Sequence, residues 1–331
     1  EEGGAPSPEG LTVALKPHQR FALKWMVDTE RSERGLGGHL WFGPLPHLDV
    51  TCNECGSPLC RYYWSPILRA IRAGCVCLPP GGVPRGGLLC DKMGLGKTVE
   101  VLALLLSNPV GHTLIVTPKS LLQQWFEEIK EKCPTLRVLK YHGNRRPRGE
   151  FSEYHVVLVT YGTLKQDYSK TAAAVNSSKK RKRAQEQPEA AASSTSNEGT
   201  KAPEESPIHK MHWDRLVLDE SQRVPKPANT KGSVMSIIAK ACEELGRTHT
   251  WCMSGTPVAN VIDDLLGQLL VLGVEPYCSR GDNGDAFWER EVRGPWSKKD
   301  PNGLEIVHDL LGQIMMRHSK EQTVGAAGGQ R

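Results

Sequence analysis

The sequence predicts an α/β fold in which a parallel β-sheet is covered by helices on both faces. Two apolar patterns alternate along most of the 331 residues. Short aliphatic runs are typical of strands buried on both faces, as parallel sheets require. Between them, apolar residues recur with the spacing of helices that bury one side. Strands that alternate with such helices favour an α/β architecture.

The core strands are predicted from five apolar runs. These runs are 87–90, 113–117, 155–160, 215–219 and 248–254. A first helix is expected from His18 to about Ser32, and an apolar helix over 99–106. Two more helices are predicted from apolar residues at helical spacing, namely Leu121, Leu122, Trp125, Phe126 and Ile129, then Val234, Ile237, Ile238, Ala241 and Leu245.

Composition divides the chain into segments. We expect an N-terminal flank with a first helix (1–34), an irregular Gly/Pro/Cys-rich insertion (35–86), an α/β lobe (87–168 and 208–320), a disordered insertion (169–207) and a tail (321–331). The disordered insertion has a single large aliphatic residue, Val175, and so cannot bury enough apolar area to offset its ordering entropy. It contains a five-residue basic run, 179–183, which is either a nuclear-import signal or a solvated charge run.

Bulk properties narrow the class of protein. The chain is 38% hydrophobic and 24% charged, with a net charge of +5, which permits a polyanionic partner without requiring one. Its longest apolar run, 101–106, is too short to cross a bilayer, and we expect no membrane partner. The first residue is Glu1, which favours a piece of a longer protein. Ten cysteines without an export signal favour reduced thiols or metal ligation over disulfides.

The strongest motif lies between a predicted strand and an apolar helix. It consists of Asp91, Lys92, Met93, Gly94, Leu95, Gly96, Lys97 and Thr98. This context is that of a Walker A loop, whose backbone N–H groups and helix N-terminus bind phosphates. Lys97 is expected to contact the β- and γ-phosphates of ATP, and the Thr98 hydroxyl to bind Mg²⁺. The alternative is a strand–helix turn that binds no nucleotide.

A second motif is the apolar strand that ends in Asp219 and Glu220. This is the Walker B arrangement, in which Asp219 holds Mg²⁺ and Glu220 orients the attacking water. Parallel sheets bind ligands at the carboxyl ends of their strands, where both acids are expected. Alone, such a pair is more often a solvated turn, but it gains weight from the phosphate loop that precedes it.

The order of motifs resembles the Swi/Snf ATPases of helicase superfamily two. The matching segments are 15–19 (LKPHQ), 91–98 (DKMGLGKT), 114–118 (LIVTP), 159–161 (VTY), 219–223 (DESQR) and 254–257 (SGTP). Asp91, which departs from the general Walker pattern, is the residue that this family usually carries. The resemblance frames the chain from about Leu15 to about Lys320 and implies the first RecA-like lobe of a motor that moves along double-stranded DNA.

The resemblance also implies roles for individual residues. Gln19 is similar to the glutamine that reads adenine, and Asp219 with Glu220 to the acidic box. The motif that couples hydrolysis to DNA movement is matched by Ser254, Gly255, Thr256 and Pro257. The segments 117–120 and 160–161 occupy places that touch the DNA backbone in the family. The candidate DNA contacts are therefore Lys119, Ser120, Thr160 and Tyr161, which Arg145, Arg146 and Arg148 extend unless they form a solvated loop.

The insertion before the acidic box and the residues 218–222 resemble the branch of DNA-repair translocases that also carry RING ubiquitin ligases. The family completes its ATP site with a second RecA-like lobe, so we expect the chain alone to bind and hydrolyse ATP poorly. The resemblance also implies chromatin as a partner and the nucleus as location.

Cysteines in the first insertion suggest a metal site. Cys52, Cys55, Cys75 and Cys77 could form a four-thiolate zinc site, although the Cys75–Cys77 spacing is tighter than usual. The alternative is a set of ordinary thiols. Cys60 lies between these two pairs, and the other five cysteines, at 90, 133, 242, 252 and 278, lie in apolar patterns and are expected to pack in the core.

The leading hypothesis is an ATP-driven double-stranded DNA translocase of chromatin or DNA repair. A non-catalytic module that binds DNA or a partner is the first alternative. The ATPase arm of a RING-type ubiquitin ligase is the second.

Overall fold

A computed structural model describes most of the predicted lobe. The described residues are 3–33, 35–36, 40, 42, 61–65, 70–74, 85–143, 146–147, 151–170, 206–224, 237–259, 261–274 and 287–321. Several predictions lie outside these residues, namely the zinc candidates Cys52, Cys55, Cys75 and Cys77, the arginines Arg145 and Arg148, Cys278, the basic run 179–183 and most of the disordered insertion (171–205).

The centre of the fold is a parallel sheet. Its strands lie in the order β5–β6–β4–β7–β8–β3–β9, and every neighbouring pair is parallel. The strands are β3 (Arg85–Leu89), β4 (Thr113–Thr117), β5 (Val138–Tyr141), β6 (Val156–Thr160), β7 (Trp213–Asp219), β8 (Arg247–Met253) and β9 (Met315–Met316). The five predicted core strands are present with ends within two residues of their predicted positions.

The helices connect these strands. They are α1 (Pro17–Arg31), α2 (Lys97–Ser107), α3 (Leu122–Lys132), α4 (Pro207–Lys210), α5 (Ile237–Glu243), α6 (Asp263–Leu272), α7 (Gly294–Ser297) and α8 (Pro301–Ile314), with a helical segment at 161–170, a 3₁₀ turn at Ser221–Arg223 and a π-helical turn at Glu289–Arg293. Ser169 and Lys170 belong to the helical segment and Pro207 begins α4, so helical structure reaches both edges of the predicted disordered insertion.

Apolar side chains pack on both faces of the sheet. Along β4, Leu114 and Val116 face one cluster and Ile115 faces the other, as the period of a strand requires. The first face is covered by α5, α6, α8 and the segment 161–170, and the second by α1, α2 and α3. This arrangement confirms the predicted α/β fold with helices on both faces.

Four strands were not predicted, and neither were the helices α4, α6, α7 and α8 or the helical segment 161–170. β5 and β9 extend the sheet at its two edges. The antiparallel hairpin β1 (Arg61–Ser65) and β2 (Ala70–Gly74) lies within the insertion that was expected to be irregular, and its Tyr63 is buried in the first core cluster. The prediction of an irregular insertion is thus wrong for these two strands, because β1 contributes an aromatic side chain to the core.

A buried ion pair ties α1 to the sheet. Glu30 near the end of α1 pairs with Arg215 of β7 at 2.5 Å, and both side chains are almost fully buried. The Glu30 carboxylate also accepts hydrogen bonds from Trp251 Nε1 and Asn108 Nδ2, at 2.8 and 2.7 Å. Arg215 in turn donates to the Asn108 carbonyl at 2.9 Å, so charge and hydrogen-bonding capacity are both matched. Across the described ranges, no helix combines the length and apolar character needed to cross a membrane.

Candidate nucleotide-binding site

The predicted phosphate loop joins β3 to α2 at the carboxyl end of the sheet. Gly94 and Gly96 adopt φ angles of +86° and +95°, which favour glycine. A Cβ atom on Gly96 would displace the side-chain amide of Gln19 from its position against the loop. The loop conformation therefore depends on glycine at 96 for both its backbone angle and its packing.

Lys97 and Thr98 begin α2, whose N-terminus carries the positive end of the helix dipole. The Lys97 ammonium donates to the carbonyl oxygen of Asp91 at 2.6 Å and so lies within the curve of the loop. Unpaired N–H groups at a helix N-terminus, together with this ammonium, suit the binding of a phosphate group.

The first helix holds Gln19 against the loop. Pro17 occupies the first turn of α1, and Oε1 of Gln19 accepts the backbone N–H of Lys16 at 2.9 Å in a capping box. Nε2 of Gln19 then donates to the Leu95 carbonyl at 3.0 Å, and Nε2 of His18 lies 3.0 Å from the same oxygen. Gln19 is thus placed beside the phosphate loop, while its role towards adenine stays a prediction.

The acidic pair lies at the end of β7, on the neighbouring wall. Burial raises the pKa of Asp219, and hydrogen bonds from Trp125 and Thr117 oppose that rise. Both bonds end on Oδ2, from Trp125 Nε1 at 2.7 Å and Thr117 Oγ1 at 3.0 Å. Glu220 has φ +52° and ψ +49°, a left-handed conformation that is uncommon for a residue with a side chain. Such local strain often marks functional positions.

One cleft of about 370 Å³ brings the two motifs together. Its lining includes Gly94, Gly96, Lys97 and Thr98 from the phosphate loop, and Asp219 with Glu220 from β7. The remaining lining residues are Met93, Val99, Leu121, Gln124, Trp125, Glu128, Lys132 and Met253. A cation, a helix N-terminus and two acids in one cleft suit a phosphate chain with a divalent cation.

The donor set fits Mg²⁺. The Thr98 hydroxyl and the Asp219 carboxylate are hard oxygen ligands that line the same cleft. Because Thr117 and Trp125 both bind Oδ2, Oδ1 of Asp219 lies outside these two hydrogen bonds. A magnesium ion held here would offset the negative charge of the phosphates.

A second pair of carboxyl groups lies beneath the loop. Asp91 and Glu100 are both fully buried, and burial, then the charge of Asp91, raises the pKa of Glu100 to about 9. Glu100 is therefore neutral at physiological pH. The Asp91 carboxylate accepts the backbone N–H of His318 at 2.7 Å, and Nδ1 of His318 lies 3.0 Å from both of its oxygens. Asp91 thus ties the phosphate loop to the segment that follows β9.

The segment after β9 contacts the loop at two further points. The Lys92 N–H donates to the His318 carbonyl at 3.1 Å, and the Lys92 ammonium pairs with Glu321 at 2.8 Å. These contacts place the end of the described chain directly on the phosphate loop.

The predicted coupling motif follows β8 and also meets the loop. A Cβ atom on Gly255 would lie 3.1 Å from Cγ of Met93, so this glycine permits a close approach. Ser254 Oγ accepts the Thr256 N–H at 3.0 Å. The buried Gln268 of α6 donates to the Pro257 carbonyl at 2.7 Å and accepts from the Ser221 hydroxyl at 2.9 Å. Gln268 therefore joins the coupling motif to the turn after the acidic pair.

The candidate DNA contacts fall into two groups. Lys119 and Ser120 are exposed in the turn after β4. Thr160 and Tyr161 are only 3% and 8% exposed, and their role as DNA contacts stays a prediction. Thr160 Oγ1 donates to Thr163 at 2.9 Å, and the Tyr161 hydroxyl donates to the Asp219 carbonyl at 2.9 Å. Both hydroxyls are thus used inside the lobe.

Arg146 is held by neighbouring side chains rather than projecting freely. Its guanidinium pairs with Asp167 at 2.8 Å and lies 5.4 Å from the centre of the Tyr141 ring. Cys90, Cys133, Cys242 and Cys252 are buried free thiols, as predicted.

Sequence reasoning did not identify three residues that support the site. Trp125 appeared as an apolar helix position and among the residues that carry the family resemblance but had no role assigned to it, Gln268 had no assigned role, and Glu100 appeared only as a residue of the helix. A charged or amide residue within a run of aliphatic ones was the available signal for Glu100 and Gln268. No local pattern distinguishes Trp125 from a core tryptophan.

Comparison with known proteins agrees with this site. The chain is 30% identical over 364 residues to "DNA repair protein RAD5B" of Arabidopsis thaliana, covering 97% of this chain and 24% of that protein. It is 26% identical over 358 residues to "DNA repair protein rad8" of Schizosaccharomyces pombe, covering 96% of this chain and 28% of that protein. The chain therefore spans about a quarter of the length of these relatives.

A solved structure shares the fold. The SWI2/SNF2 ATPase core of Sulfolobus solfataricus in complex with double-stranded DNA superimposes with a TM-score of 0.59 at 19% identity, over 95% of this chain and 46% of that one. The SNF2-related domain family matches residues 18–327. This match includes the phosphate loop, the acidic pair and the coupling motif, and the chain belongs to the SNF2-related domain family.

Proposed function

We propose that this chain is the ATP-binding lobe of an ATP-dependent translocase that moves along double-stranded DNA in DNA repair or chromatin remodelling. One observation carries the proposal: Lys97 and Thr98 share a cleft with Asp219 and Glu220. These four residues come from two motifs about 120 positions apart, and together they supply the groups that phosphoryl transfer to water requires.

Each residue has a role in this chemistry. Lys97 and the N-terminus of α2 bind the phosphates of ATP, and Thr98 with Asp219 holds Mg²⁺, which neutralises charge on the phosphates. Glu220 orients a water molecule for in-line attack on the γ-phosphate. Gln19, which lies beside Leu95 and Gly96, is proposed to read the adenine edge.

DNA binding is the second part of the proposal. Lys119 and Ser120, exposed after β4, are offered as contacts to the DNA backbone. Such contacts are independent of sequence and suit a motor that moves along DNA. The fold shared with a DNA-bound SWI2/SNF2 core and the relatives named as DNA repair proteins support this assignment. A second RecA-like lobe is proposed to complete the ATP site, and the nucleus is proposed as the location.

The zinc assignment is a separate proposal. Cys52, Cys55, Cys75 and Cys77 are offered as ligands of one zinc ion. Elemental analysis of the purified protein should give about one zinc per chain, and loss of zinc in Cys52→Ser would support these ligands. A protein with far less than one zinc per chain would contradict the assignment.

ATP hydrolysis by the full-length protein that contains this chain tests the main proposal. The rate is measured with and without double-stranded DNA, beside a Lys97→Ala variant. Turnover that rises with DNA and disappears in the variant is the expected result. A folded wild-type protein with no turnover in either condition would favour a non-catalytic binding module. Turnover that single-stranded DNA alone stimulates would contradict the assigned substrate.

A further inference from the structure

Asp219 is held from three directions. Its Oδ2 accepts hydrogen bonds from Trp125 of α3 and from Thr117 at the end of β4. Its carbonyl oxygen accepts the hydroxyl of Tyr161, which begins the helical segment 161–170. Backbone and side chain of the aspartate are thus fixed by three different elements of the lobe.

We propose that Trp125 and Thr117 are positioning residues that direct Oδ1 of Asp219 towards the metal ion of the nucleotide site. The inference rests on the proposed function and extends it to residues outside the two nucleotide motifs.

The distribution of the hydrogen bonds supports this role. Both donors bind the same oxygen, although a carboxylate offers two. A carboxylate with one oxygen held by two side-chain donors has a defined orientation. The backbone N–H of Glu220 is a further partner of the Asp219 carboxylate, and Oδ1 stays outside the two side-chain hydrogen bonds, so that it can bind a cation. Outer-sphere partners of this kind orient metal ligands, and their loss typically lowers metal affinity 10- to 100-fold.

Burial makes the two hydrogen bonds effective. Thr117 is fully buried and Trp125 is 2% exposed, so bulk water cannot readily replace a lost donor. Trp125 also lines the cleft itself, beside Asp219 and Glu220. Its indole N–H therefore acts at the wall of the site.

A purely structural role is the competing explanation, and the chain supplies a matched control for it. Trp213 is also fully buried, and its indole N–H donates to the Ile208 carbonyl at 2.9 Å in the first core cluster. Trp213→Phe removes a comparable buried hydrogen bond without touching Asp219. Thr117→Ser keeps the hydroxyl, whereas Thr117→Val removes it and keeps the shape.

The test is a Mg²⁺ titration of the full-length protein that contains this chain, in the presence of a fluorescent ATP analogue. Thr117→Val and Trp125→Phe should each raise the half-saturating Mg²⁺ concentration about tenfold. The affinity of Thr117→Val for the analogue without Mg²⁺, which depends on the phosphate loop, should stay within about twofold of wild type, or about 0.4 kcal/mol. Thr117→Ser and Trp213→Phe should titrate like wild type.

A wild-type half-saturating concentration in both Thr117→Val and Trp125→Phe would overturn the inference. So would an equal change in Trp213→Phe, which would indicate general destabilisation. A wild-type full-length protein that shows no Mg²⁺-dependent binding would instead overturn the proposed function, and this inference with it.

A measurement on the wild-type chain avoids dependence on variant folding. The indole N–H signal of Trp125 in NMR spectra should shift when Mg²⁺ is added to the nucleotide-bound chain, while that of Trp213 should not. An unchanged Trp125 signal would contradict the role.

Discussion

Two buried carboxylates, one at each half of strand β7, differ in how many of their oxygens accept side-chain hydrogen bonds. In the first half of β7, Arg215 pairs with Glu30, whose oxygens also accept from Trp251 and Asn108. At the end of the same strand, Asp219 keeps Oδ1 outside the hydrogen bonds of its Oδ2 donors. We call the Glu30 group closed because both oxygens of its carboxylate have protein partners. We call the Asp219 group open because its two side-chain donors bind the same oxygen and because Asp219 lines the cleft.

The difference separates a structural role from a functional one. A buried charge with matched partners holds elements together, and breaking the match is costly. A buried acid that lacks partners is costly unless a ligand or a proton supplies them. Glu100 illustrates the second case, because its carboxyl group is fully buried and its hydrogen-bond partner is Asp91, another acid. Its raised pKa, about 9, shows that a proton meets part of this cost.

The largest expected effect is on stability, from opening the closed group. Glu30→Gln leaves the buried Arg215 guanidinium without its counter-charge and should destabilise the chain by about 3–5 kcal/mol. Urea unfolding monitored by circular dichroism measures this. Glu127→Gln, on the exposed side of α3, is the control and should change stability by less than about 0.5 kcal/mol. Equal stability of the two variants would remove the structural role of the ion pair.

Next in size is an effect on activity, from the open group. Lys97→Ala should lower DNA-stimulated ATP hydrolysis roughly 100-fold or more, because it removes a cation from the site of charge development. Its stability should stay within about 1 kcal/mol of wild type, since Lys97 is only partly buried. Parallel measurement of turnover and thermal unfolding checks both. If Lys97→Ala lost as much stability as Glu30→Gln, the distinction between a structural Glu30 group and a functional Asp219 group would be contradicted.

A smaller effect concerns pH. Burial alone would raise the pKa of Glu30, but the hydrogen bond and charge of Arg215 outweigh it and hold the pKa below 4.5. A lowered folded pKa gives stability that is present above about pH 4.5 and lost as pH falls through the folded pKa. The stability gap between wild type and Glu30→Gln should therefore narrow in acid, by at most about 1.4 kcal/mol per pH unit. Unfolding curves between pH 3 and 7 measure the gap, and a constant gap would contradict the assignment.

The smallest effect is expected at Glu100. Glu100→Gln replaces a neutral carboxyl group by a neutral amide of similar shape, so stability at pH 7.5 should change by less than about 1 kcal/mol. The same substitution at Glu30 is the natural comparison in one thermal-unfolding series. A loss at position 100 as large as that at position 30 would show that Glu100 is charged in the folded chain.

Local sequence patterns explain why most core strands and the two nucleotide motifs could be predicted from the sequence. The strands β4, β6, β7 and β8 are continuous apolar runs, and the nucleotide motifs are contiguous residues at a strand end. β5 (Val138–Tyr141) was not predicted because it is short and includes a basic residue, which an edge strand tolerates. β9 has only two residues and pairs on one side.

Long-range contacts account for what could not be predicted. Glu30 and Arg215 are 185 positions apart, and Trp125 and Asp219 are 94 apart. Their pairing follows from the order of strands in the sheet and not from either local sequence. Tyr161 shows the same limit: the motif placed it correctly at a strand end, but did not predict that its hydroxyl donates to the Asp219 carbonyl.

We propose that the acidic pair at the end of β7 supports ATP hydrolysis, with Glu220 orienting the attacking water. The most direct test is ATP binding and single-turnover hydrolysis by the full-length protein with DNA, compared between wild type and Glu220→Gln. We expect the variant to bind ATP with near wild-type affinity and its single-turnover hydrolysis rate to fall roughly 100-fold or more. Hydrolysis at the wild-type rate in Glu220→Gln would contradict it.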